Sequence, residues 1–462
     1  MKEIKVEDII KVTGGELVIG EKDIECINFS KDTRTIKNGD IYIGIKGEKF
    51  DGNMFWKEAL DKGALGAIIQ NIEITPKEKE KYYDKVIIVV KDSMKALQEI
   101  AKFKRSLYNI PVIAVTGSVG KTSTKDIIAS VVSNKYKTLK TEGNNNNNIG
   151  VPLTILKLRD HEAAVIEMGM NHLREIAVLT EIAKPTLSVI TNIGTSHIGY
   201  LGSRENILKA KLEILEGMEK PEIVVNNDND LLHKWYEENK SKIKIHTYGI
   251  KNQSDINASE IEMNEENSKF CITLNSEKVN IEVPVGGEHF IYNALCAAEV
   301  GKTLGLSKEQ ITKGIKEFEL TKKRMDIKTL ENGVVLINDS YNASYDSVKN
   351  SLDLIGKSSK RKIAVLGDIL ELDSYGESIH RSIAKDVISN KIDKLFLVGD
   401  MAKYIGLEAI KLGYNSDNIY YFSKESDSYQ TLEKELKKDD IVLFKASHGM
   451  KLDNIVNHLM NF

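Results

Sequence analysis

The sequence predicts an α/β protein with three domains. Its 462 residues correspond to about three domains at roughly 150 residues each. In the middle of the chain, apolar runs of strand length alternate with amphipathic stretches, which predicts parallel strands joined by right-handed helical crossovers. The predicted strands there are 112–116, 163–167, 187–191 and 222–225, and the predicted helices are 121–134, 172–183 and 203–218.

Two breaks in this pattern predict the domain limits. The first lies at Asn109-Ile110-Pro111, because proline disfavours a helical residue before it and so ends a helix predicted over 93–108 with Ser93 as N-cap. The second lies near Thr321-Lys322-Lys323, after which the pattern starts again. We therefore predict a small α/β domain at 1–109, a central parallel-sheet domain at 110–320 and a doubly wound, Rossmann-like domain at 321–462.

The remaining elements are predicted from shorter patterns. The polar stretch Asp255–Lys278 predicts β-hairpins on an edge, and the run of asparagines at 144–148 predicts a solvated loop. Further predicted strands are 41–45, 86–90, 334–338, 362–367, 394–398 and 441–444, and further predicted helices are 55–60, 292–303, 346–355 and 377–389.

The composition excludes several classes of protein. Lys and Arg number 65 against 68 Asp and Glu, a net charge of −3 that gives no bulk attraction to nucleic acid or membranes. Cys26, Cys271 and Cys296 form no CxxC pair, which excludes a disulfide scaffold and a thiolate zinc site. Apolar runs such as 86–90 are too short to span a bilayer, and the first residues lack the apolar core of a signal peptide. We expect a cytoplasmic protein without membrane insertion or a nucleic-acid partner.

The strongest motif follows the first strand of the central domain. That strand runs into Thr116-Gly117-Ser118-Val119-Gly120-Lys121-Thr122, and a helix follows at once. Glycines let backbone N–H groups face a phosphate, and the helix N-terminus adds partial positive charge. This predicts a P-loop, although its first glycine lies two residues closer to the lysine than usual. Lys121 would reach the β- and γ-phosphates, and the Thr122 hydroxyl would bind Mg²⁺. The alternative is a plain glycine turn before a helix.

Two further polar residues are expected beside this loop. Glu167 closes one predicted strand and His197 follows another, and both belong at the carboxyl ends of parallel strands, where such sheets bind ligands. Together with Thr122 they could hold Mg²⁺. Taken alone, a histidine in a Gly/Ser loop is more often a plain surface residue, but the position of His197 on the sheet edge of the P-loop favours a ligand role.

These residues resemble the ATP-binding core of the Mur ligase family of peptidoglycan synthesis. The resemblance extends in order along nearly the whole chain. It includes the segments at 32–34, 39–40, 50–52, 141–152, 167–172, 339–343 and 365–372, together with Gly47 and His380.

The resemblance implies an ATP-dependent ligase that uses Mg²⁺ and has UDP-MurNAc-tripeptide and D-alanyl-D-alanine as substrates. The tripeptide carboxylate would attack the ATP γ-phosphate, and the amine of the dipeptide would then displace phosphate from the acyl phosphate. The first domain would bind the UDP-sugar, the central domain ATP, and the third would complete the site. We expect a monomer.

The resemblance also implies roles for individual residues. Lys121, His197 and Lys211 would be catalytic, with Lys211 carbamoylated or, alternatively, a solvated helix lysine. Arg324 would reach the phosphates or, alternatively, lie on a solvated linker face. The other expected ATP-binding residues are Gly117, Ser118, Val119, Gly120, Thr122, Ser123, Asn293 and Asp339, and the expected substrate-binding residues are Thr33, Arg34, Gly47, Asp51, Asn144, Asn146, Asn147, Asn342, Lys445 and His448.

Some positions depart from the family pattern. Ser344-Tyr345 replaces Asn-Pro, and His448 stands where an arginine is usual. An arginine suits a dipeptide carboxylate by its planar fork, which histidine cannot reproduce. This leaves open a different D-dipeptide or a depsipeptide as acceptor. A P-loop protein that binds ATP without ligation is the alternative from another class.

Overall fold

The computed structural model describes residues 3–47, 50–264, 266–321 and 324–461. The strands of its N-terminal part are β1 (Ile4–Lys5), β2 (Glu16–Ile19), β3 (Glu25–Cys26), β4 (Asn28–Ser30), β5 (Asp40–Ile43), β6 (Gly66–Gln70) and β7 (Val86–Val90), and the helices are α1 (Val6–Thr13), α2 (Trp56–Asp61), α3 (Pro76–Lys81) and α4 (Ser93–Ser106). Five of these strands form one sheet in the order β2-β7-β6-β5-β4, in which β4 to β7 pair in parallel and β2 pairs antiparallel with β7 at one edge.

Helix α4 begins one residue away from the predicted cap. Asp92, not Ser93, is the N-cap, and its carboxylate accepts a hydrogen bond of 2.9 Å from the backbone N–H of Lys95. The Ser93 hydroxyl instead donates to Gln70 Oε1 at 3.3 Å. The prediction of the N-cap was therefore wrong, because two adjacent residues both had suitable side chains.

The central part contains a seven-stranded, fully parallel sheet and a separate three-stranded sheet. The strands are β8 (Val112–Thr116), β9 (Thr138–Lys140), β10 (Ala163–Glu167), β11 (Leu187–Ile190), β12 (Glu222–Asn226), β13 (Lys244–Gly249), β14 (Ile256–Asn257), β15 (Ser259–Met263), β16 (Ser268–Leu274) and β17 (Glu277–Val283). The helices are α5 (Lys121–Val132), α6 (Gly150–Ile155), α7 (Glu175–Ala183), α8 (Ile198–Leu201), α9 (Arg204–Leu212), α10 (Asp230–Asn239), α11 (Glu288–Thr303) and α12 (Lys308–Lys316).

The order of the parallel sheet positions the predicted site. The order is β14-β13-β12-β11-β8-β10-β9, so that the P-loop strand β8 lies between β10 and β11. All five residues of β8 are buried, as expected for a strand covered on both faces. The carboxyl ends of three adjacent strands therefore present the P-loop, Glu167 and the loop that carries His197 at one edge.

The predicted hairpins occur, but they do not extend an edge of the parallel sheet. Strands β15, β16 and β17 form their own antiparallel sheet, whereas the edge of the large sheet is the parallel strand β14. Alternate residues of β16 and β17, such as Phe270 and Ile281, are buried in the same core as α11. The apolar face of this small sheet is therefore covered by α11, whereas it would be exposed if the hairpins extended the edge of the parallel sheet.

The strands of the C-terminal part are β18 (Asp326–Thr329), β19 (Val335–Asn338), β20 (Lys362–Gly367), β21 (Lys394–Val398), β22 (Ile419–Phe422) and β23 (Ile441–Lys445), and the helices are α13 (Tyr345–Gly356), α14 (Gly376–Ser389), α15 (Lys403–Lys411), α16 (Tyr429–Glu435) and α17 (Asp453–Met460). The six strands form one sheet in the order β18-β19-β23-β20-β21-β22, which is parallel except for the edge strand β18.

The α/β fold class is confirmed, and each main sheet takes its strands from one of the three predicted spans. The domain limits themselves stay predictions, and residues 322 and 323 of the second limit lie outside the described residues. Within the described part of the chain, every helix falls short of the length and apolar character needed to cross a membrane.

Candidate active site

The P-loop is built by two glycines and by bonds to the neighbouring strand loop. Gly120 has φ +82°, the left-handed region that favours glycine, and a Cβ at Gly117 would lie 1.9 Å from Thr191 Oγ1. The N–H groups of Ser118 and Val119 donate to the backbone and side-chain oxygens of Asn192, at 3.0 and 2.9 Å. The loop is therefore held in shape by the protein itself.

Lys121, the first residue of α5, lies across this loop. Its Nζ donates to the carbonyl oxygens of Gly117 at 2.8 Å and Ser118 at 3.4 Å. Burial lowers the pKa of Lys121, Glu167 opposes this shift, and nearby Arg324 adds to it. The ammonium is thus poised where P-loop lysines meet phosphate oxygens.

Glu167, at the end of β10, has one carboxylate oxygen without a partner. Its Oε1 accepts a hydrogen bond of 2.8 Å from Asn146 Nδ2, while its buried Oε2 has no hydrogen bond among the described residues. A buried carboxylate oxygen is costly unless a cation or a donor meets it. Thr122, also buried, follows Lys121 in the first turn of α5. Both residues offer the hard oxygen ligands that Mg²⁺ prefers, so they fit this ion.

His197 faces the C-terminal part of the chain. It follows β11, has φ +65°, and its Nδ1 lies 3.1 Å from Glu371 Oε2. Burial lowers the pKa of His197, although Glu371 opposes this shift, so the site favours the neutral ring. Within the described residues, no three His, Cys, Asp or Glu side chains converge as a metal cluster. An ion held by Thr122 and Glu167 would therefore need phosphate or water oxygens, and the metal role of His197 stays a prediction.

Lys211 on α9 is buried rather than solvated. Its exposure is 1%, and it makes no hydrogen bond or ion pair with the described residues. Burial lowers its pKa well below the ordinary value, and the positive charge of Lys121 lowers it further. The alternative of a solvated helix lysine is therefore wrong. A neutral amine is the form that reacts with CO₂ to give a carbamate.

A cleft between the P-loop and the C-terminal part brings together the predicted nucleotide residues. Ser118 through Ser123 line it on one side, and Arg324 and Asp339 line it on the other. Asn293 on α11 accepts a hydrogen bond of 2.9 Å from Thr124 Oγ1, while its buried Nδ2 has no partner in the described structure. That free donor suits a nitrogen acceptor of a nucleotide base, which agrees with the expected ATP-binding role of Asn293.

The C-terminal side of this cleft is fixed by ion pairing and stacking. The guanidinium of Arg324 lies 4.3 Å from the centre of the Tyr341 ring, and its buried Nε is not on a solvated face. Asp339 Oδ2 accepts from Ser351 Oγ at 2.8 Å and pairs with the buried Lys445 at 2.6 Å. Lys445 also donates to Asn342 O at 3.0 Å and so stabilises the loop between β19 and α13. Contact of Lys445 with substrate stays a prediction.

A second cavity of about 250 Å³ adjoins the first. The central part contributes Lys121, Asn144 and His197, and the C-terminal part contributes residues that include Asn342 and His448. His448 is exposed and packs on Tyr341, with ring centres 5.7 Å apart. Glu371 lines this cavity too, and the sequence did not single it out as a site residue, although its motif was recognised.

A third pocket, in the N-terminal part, contains three of the predicted substrate residues. Thr33, Arg34 and Gly47 line it together with the exposed ring of Phe50, which lies in the family-like segment 50–52, and the partly exposed ring of Phe55, which sequence reasoning had not assigned. The guanidinium of Arg34 binds Asp32 through Nε at 2.9 Å and Nη2 at 2.6 Å, and this contact lowers the pKa of Asp32 to about 2.

The other predicted substrate residues bond within the chain. Asp51 Oδ1 accepts from Asn53 N at 2.9 Å, and Asn147 Oδ1 accepts from Gly150 N at 2.9 Å at the start of α6. Asn146 orients Glu167, as described above. These bonds shape the loops, and direct contact of these side chains with substrate stays a prediction.

The site combines a P-loop on a parallel sheet, a buried carboxylate with one unbonded oxygen, and a cleft that a second α/β unit closes. Together these features define a nucleotide-dependent phosphoryl-transfer enzyme. Three family models match the chain: "Mur ligase family, catalytic domain" at residues 28–105, "Mur ligase middle domain" at 115–301 and "Mur ligase, glutamate ligase domain" at 323–448. The chain therefore belongs to the Mur ligase family.

Individual relatives agree over the full length. The UDP-N-acetylmuramoyl-tripeptide–D-alanyl-D-alanine ligase of Bacillus subtilis is 34% identical over 460 residues, which is 98% of each chain. A crystal structure of MurF from Acinetobacter baumannii superposes with a TM-score of 0.89 at 28% identity and covers 100% of both chains. MurF from Thermotoga maritima in complex with ADP has a TM-score of 0.81 at 25% identity and covers 94% of this chain and 97% of its own.

Proposed function

We propose that this protein is an ATP-dependent ligase that joins D-alanyl-D-alanine to UDP-N-acetylmuramoyl-tripeptide and releases ADP and phosphate. The observation that carries the proposal is the position of Lys121, which lines both the nucleotide cleft and the adjoining cavity. A γ-phosphoryl group bound there would face a carboxylate in the second cavity. The full-length similarity to ligases of this name supports the substrates.

The first step would transfer the γ-phosphoryl group to the tripeptide carboxylate. Charge on the transferring group would be stabilised by Lys121 and by the backbone N–H groups at the start of α5, since those of Ser118 and Val119 already donate to Asn192. Mg²⁺, held through Thr122 and Glu167, supplies Lewis-acid neutralisation of the phosphate oxygens. Arg324 would add positive charge from the C-terminal side. The products of this step are ADP and an acyl phosphate.

The second step would form the amide bond. The amine of the dipeptide attacks the acyl carbon, the C–O bond to phosphate breaks, and the amine proton is lost as phosphate leaves. Both nucleophiles need close positioning rather than further covalent chemistry from the protein. The N-terminal pocket around Thr33 and Gly47 would hold the UDP end of the tripeptide substrate.

We also propose a cytoplasmic monomer. Two of its substrates are nucleotides, and Cys26, Cys271 and Cys296 are free and buried, as expected in a reducing compartment. Sedimentation at two concentrations tests the monomer, and localisation of a tagged chain tests the compartment.

The experiment is phosphate release with Mg²⁺, ATP, UDP-N-acetylmuramoyl-tripeptide and a panel of acceptors. D-Alanyl-D-alanine should give the highest kcat/KM, and phosphate release should match peptide product one to one. A D-alanyl depsipeptide belongs in the panel because His448 replaces the arginine usual in the family. Higher kcat/KM with the depsipeptide would replace the proposed acceptor, and ATP hydrolysis without any product would contradict a ligase.

A further inference from the structure

The second cavity has one acidic residue among the described residues that line it. Glu371 provides that carboxylate, whereas Lys121, His197 and His448 are the basic groups around it. Glu371 lies at the C-terminal side and is partly exposed toward the cavity, with 45% of its side chain accessible. The cavity is therefore electrically polar, with its negative charge at a single point.

The free oxygen of this carboxylate can take a ligand. Its Oε2 pairs with His197 Nδ1 at 3.1 Å, whereas its Oε1 makes no hydrogen bond or ion pair with the described residues. A carboxylate that is half-withdrawn from water attracts an ammonium group more strongly than one in bulk solvent. A dipeptide acceptor brings such a group, since it is positive at its amino end and negative at its carboxyl end.

The backbone holds Glu371 in one place against the central part of the chain. Its φ is +64°, an uncommon conformation for a residue with a Cβ. The buried His380 fixes the loop, because its Nε2 accepts from Ile369 N at 3.0 Å and its Nδ1 donates to Gly376 O at 2.7 Å. The loop also lies tightly on Gly199, where a Cβ would be 2.8 Å from the carbonyl oxygen of Glu371.

We propose that Glu371 binds the amino group of the incoming acceptor as an ammonium and, once that group has lost one proton to solvent, orients the neutral amine for attack. The proposal rests on the proposed ligase function and assigns a residue to its second step. With the amino end at Glu371, the carboxyl end of the dipeptide extends toward the basic groups of the same cavity, of which His448 is the exposed one. The nucleophile thereby lies in the cavity that Lys121 also lines.

The test compares two nucleophiles in the wild-type protein and in Glu371→Gln. D-Alanyl-D-alanine needs the ammonium receptor, whereas hydroxylamine, which is neutral at pH 8, traps the acyl phosphate without it. Glu371→Gln should raise the KM for the dipeptide about tenfold to a hundredfold, as expected for loss of a charge-assisted hydrogen bond. Hydroxamate formation and the KM for ATP should stay within a factor of two. Glu371→Asp should give an intermediate dipeptide KM.

The control is Glu377→Gln, which removes an equal charge six residues away. Glu377 lies outside the cavity and pairs with Arg381 at 2.7 Å on the exposed side of α14. This variant should match the wild type in both reactions.

Each outcome separates the inference from the function on which it rests. Equal losses of hydroxamate and peptide product in Glu371→Gln would mean that Glu371 only holds the two parts together, and an unchanged dipeptide KM would place it outside the acceptor site. Either result overturns the inference. Failure of the ligase function would appear already in the wild type, as hydroxamate or phosphate release that no dipeptide alters.

Discussion

Asp346 of the C-terminal part accepts two hydrogen bonds from Thr195 of the central part. Its Oδ2 lies 2.9 Å from the backbone nitrogen and 3.1 Å from Oγ1 of Thr195. A Cβ on the adjacent Gly194 would lie 2.3 Å from the same oxygen. This contact joins the P-loop side of the cleft to the side that carries Arg324 and Asp339.

Gly194→Ala should therefore weaken this joint without harming the central fold. Gly194 is not in the left-handed region, so alanine adds one severe contact, with Asp346, and an ordinary van der Waals contact of 3.4 Å with Ser118 Cβ. We expect a several-fold higher KM for ATP and a lower kcat, with a nearly unchanged melting temperature. The measurement is steady-state kinetics beside a thermal melt.

A double-mutant cycle identifies the cause. Asp346→Ala removes the atom that the new methyl group would meet, so adding Gly194→Ala to it should cost little more. A coupling energy of about 1 kcal/mol is expected for two groups in direct contact. Additive effects would mean that Gly194 acts through its own loop.

Much of the nucleotide site could be predicted because its contacts are local. The P-loop strand, its glycines and Lys121 lie within ten residues, and β8 is a continuous apolar run because both its faces are buried. Glu167 follows the same logic, since adjacent parallel strands end at one edge. The chain thus encodes this edge in short patterns that can be read without tertiary structure.

The residues that sequence reasoning missed depend on contacts between distant parts of the chain. Asp346 contacts Thr195, which lies 151 positions away in the chain. Glu371 can be assigned to the site only from its contact with His197, which belongs to another part of the chain. Short, half-exposed strands such as β18 and β22 were missed because they carry too few buried residues to show a period of two.

Glu167→Gln should raise the Mg²⁺ requirement without destabilising the protein. The wild-type carboxylate holds a buried oxygen that lacks a partner, so a neutral amide relieves a cost of folding while removing a ligand of the ion. We expect the apparent Mg²⁺ constant to rise at least about tenfold. The melting temperature without ligands should be equal or higher, and the shift caused by Mg²⁺ with ATP should shrink. Identical Mg²⁺ titrations would show that Glu167 does not bind the ion.

Lys211→Met should stabilise the ligand-free protein and abolish turnover. A lysine with a lowered pKa binds its proton less readily in the folded than in the unfolded chain, so at neutral pH it favours unfolding. In bicarbonate-free buffer at pH 7 the gain from methionine should be on the order of a few kcal/mol. This gain should shrink as the pH rises toward about 10, the ordinary range for lysine. The measurement is chemical unfolding at several pH values.

Bicarbonate separates the two roles of this lysine. If Lys211 reacts with CO₂, wild-type activity should fall in CO₂-depleted buffer and return with bicarbonate, and ¹³C-bicarbonate should give a carbamate signal that Lys211→Met lacks. Activity independent of bicarbonate would leave Lys211 as an uncharged buried amine.

The stability of the central part should also depend on the protonation of His246. Its Nε2 lies 2.8 Å from Glu222, its Nδ1 lies 3.2 Å from the fully buried Glu299, and Lys244 and Lys302 pair with the same two carboxylates. Glu299 contributes most to raising the pKa of His246, while burial opposes it. The protonated ring therefore links β12 and β13 to α11, the helix that carries Asn293.

His246→Gln tests this link through the sign of its pH dependence. Because the folded pKa lies above the unfolded value of about 6.5, the stabilisation is complete below pH 6.5 and is lost as the pH rises through the folded pKa. The variant should be less stable than the wild type by about 1.5–3 kcal/mol at pH 6, the range for hydrogen bonds to charged groups. The difference should narrow steadily toward pH 9. Urea unfolding of both proteins from pH 6 to 9 measures it, and a difference that is constant with pH would show that the ring stabilises the fold by packing alone.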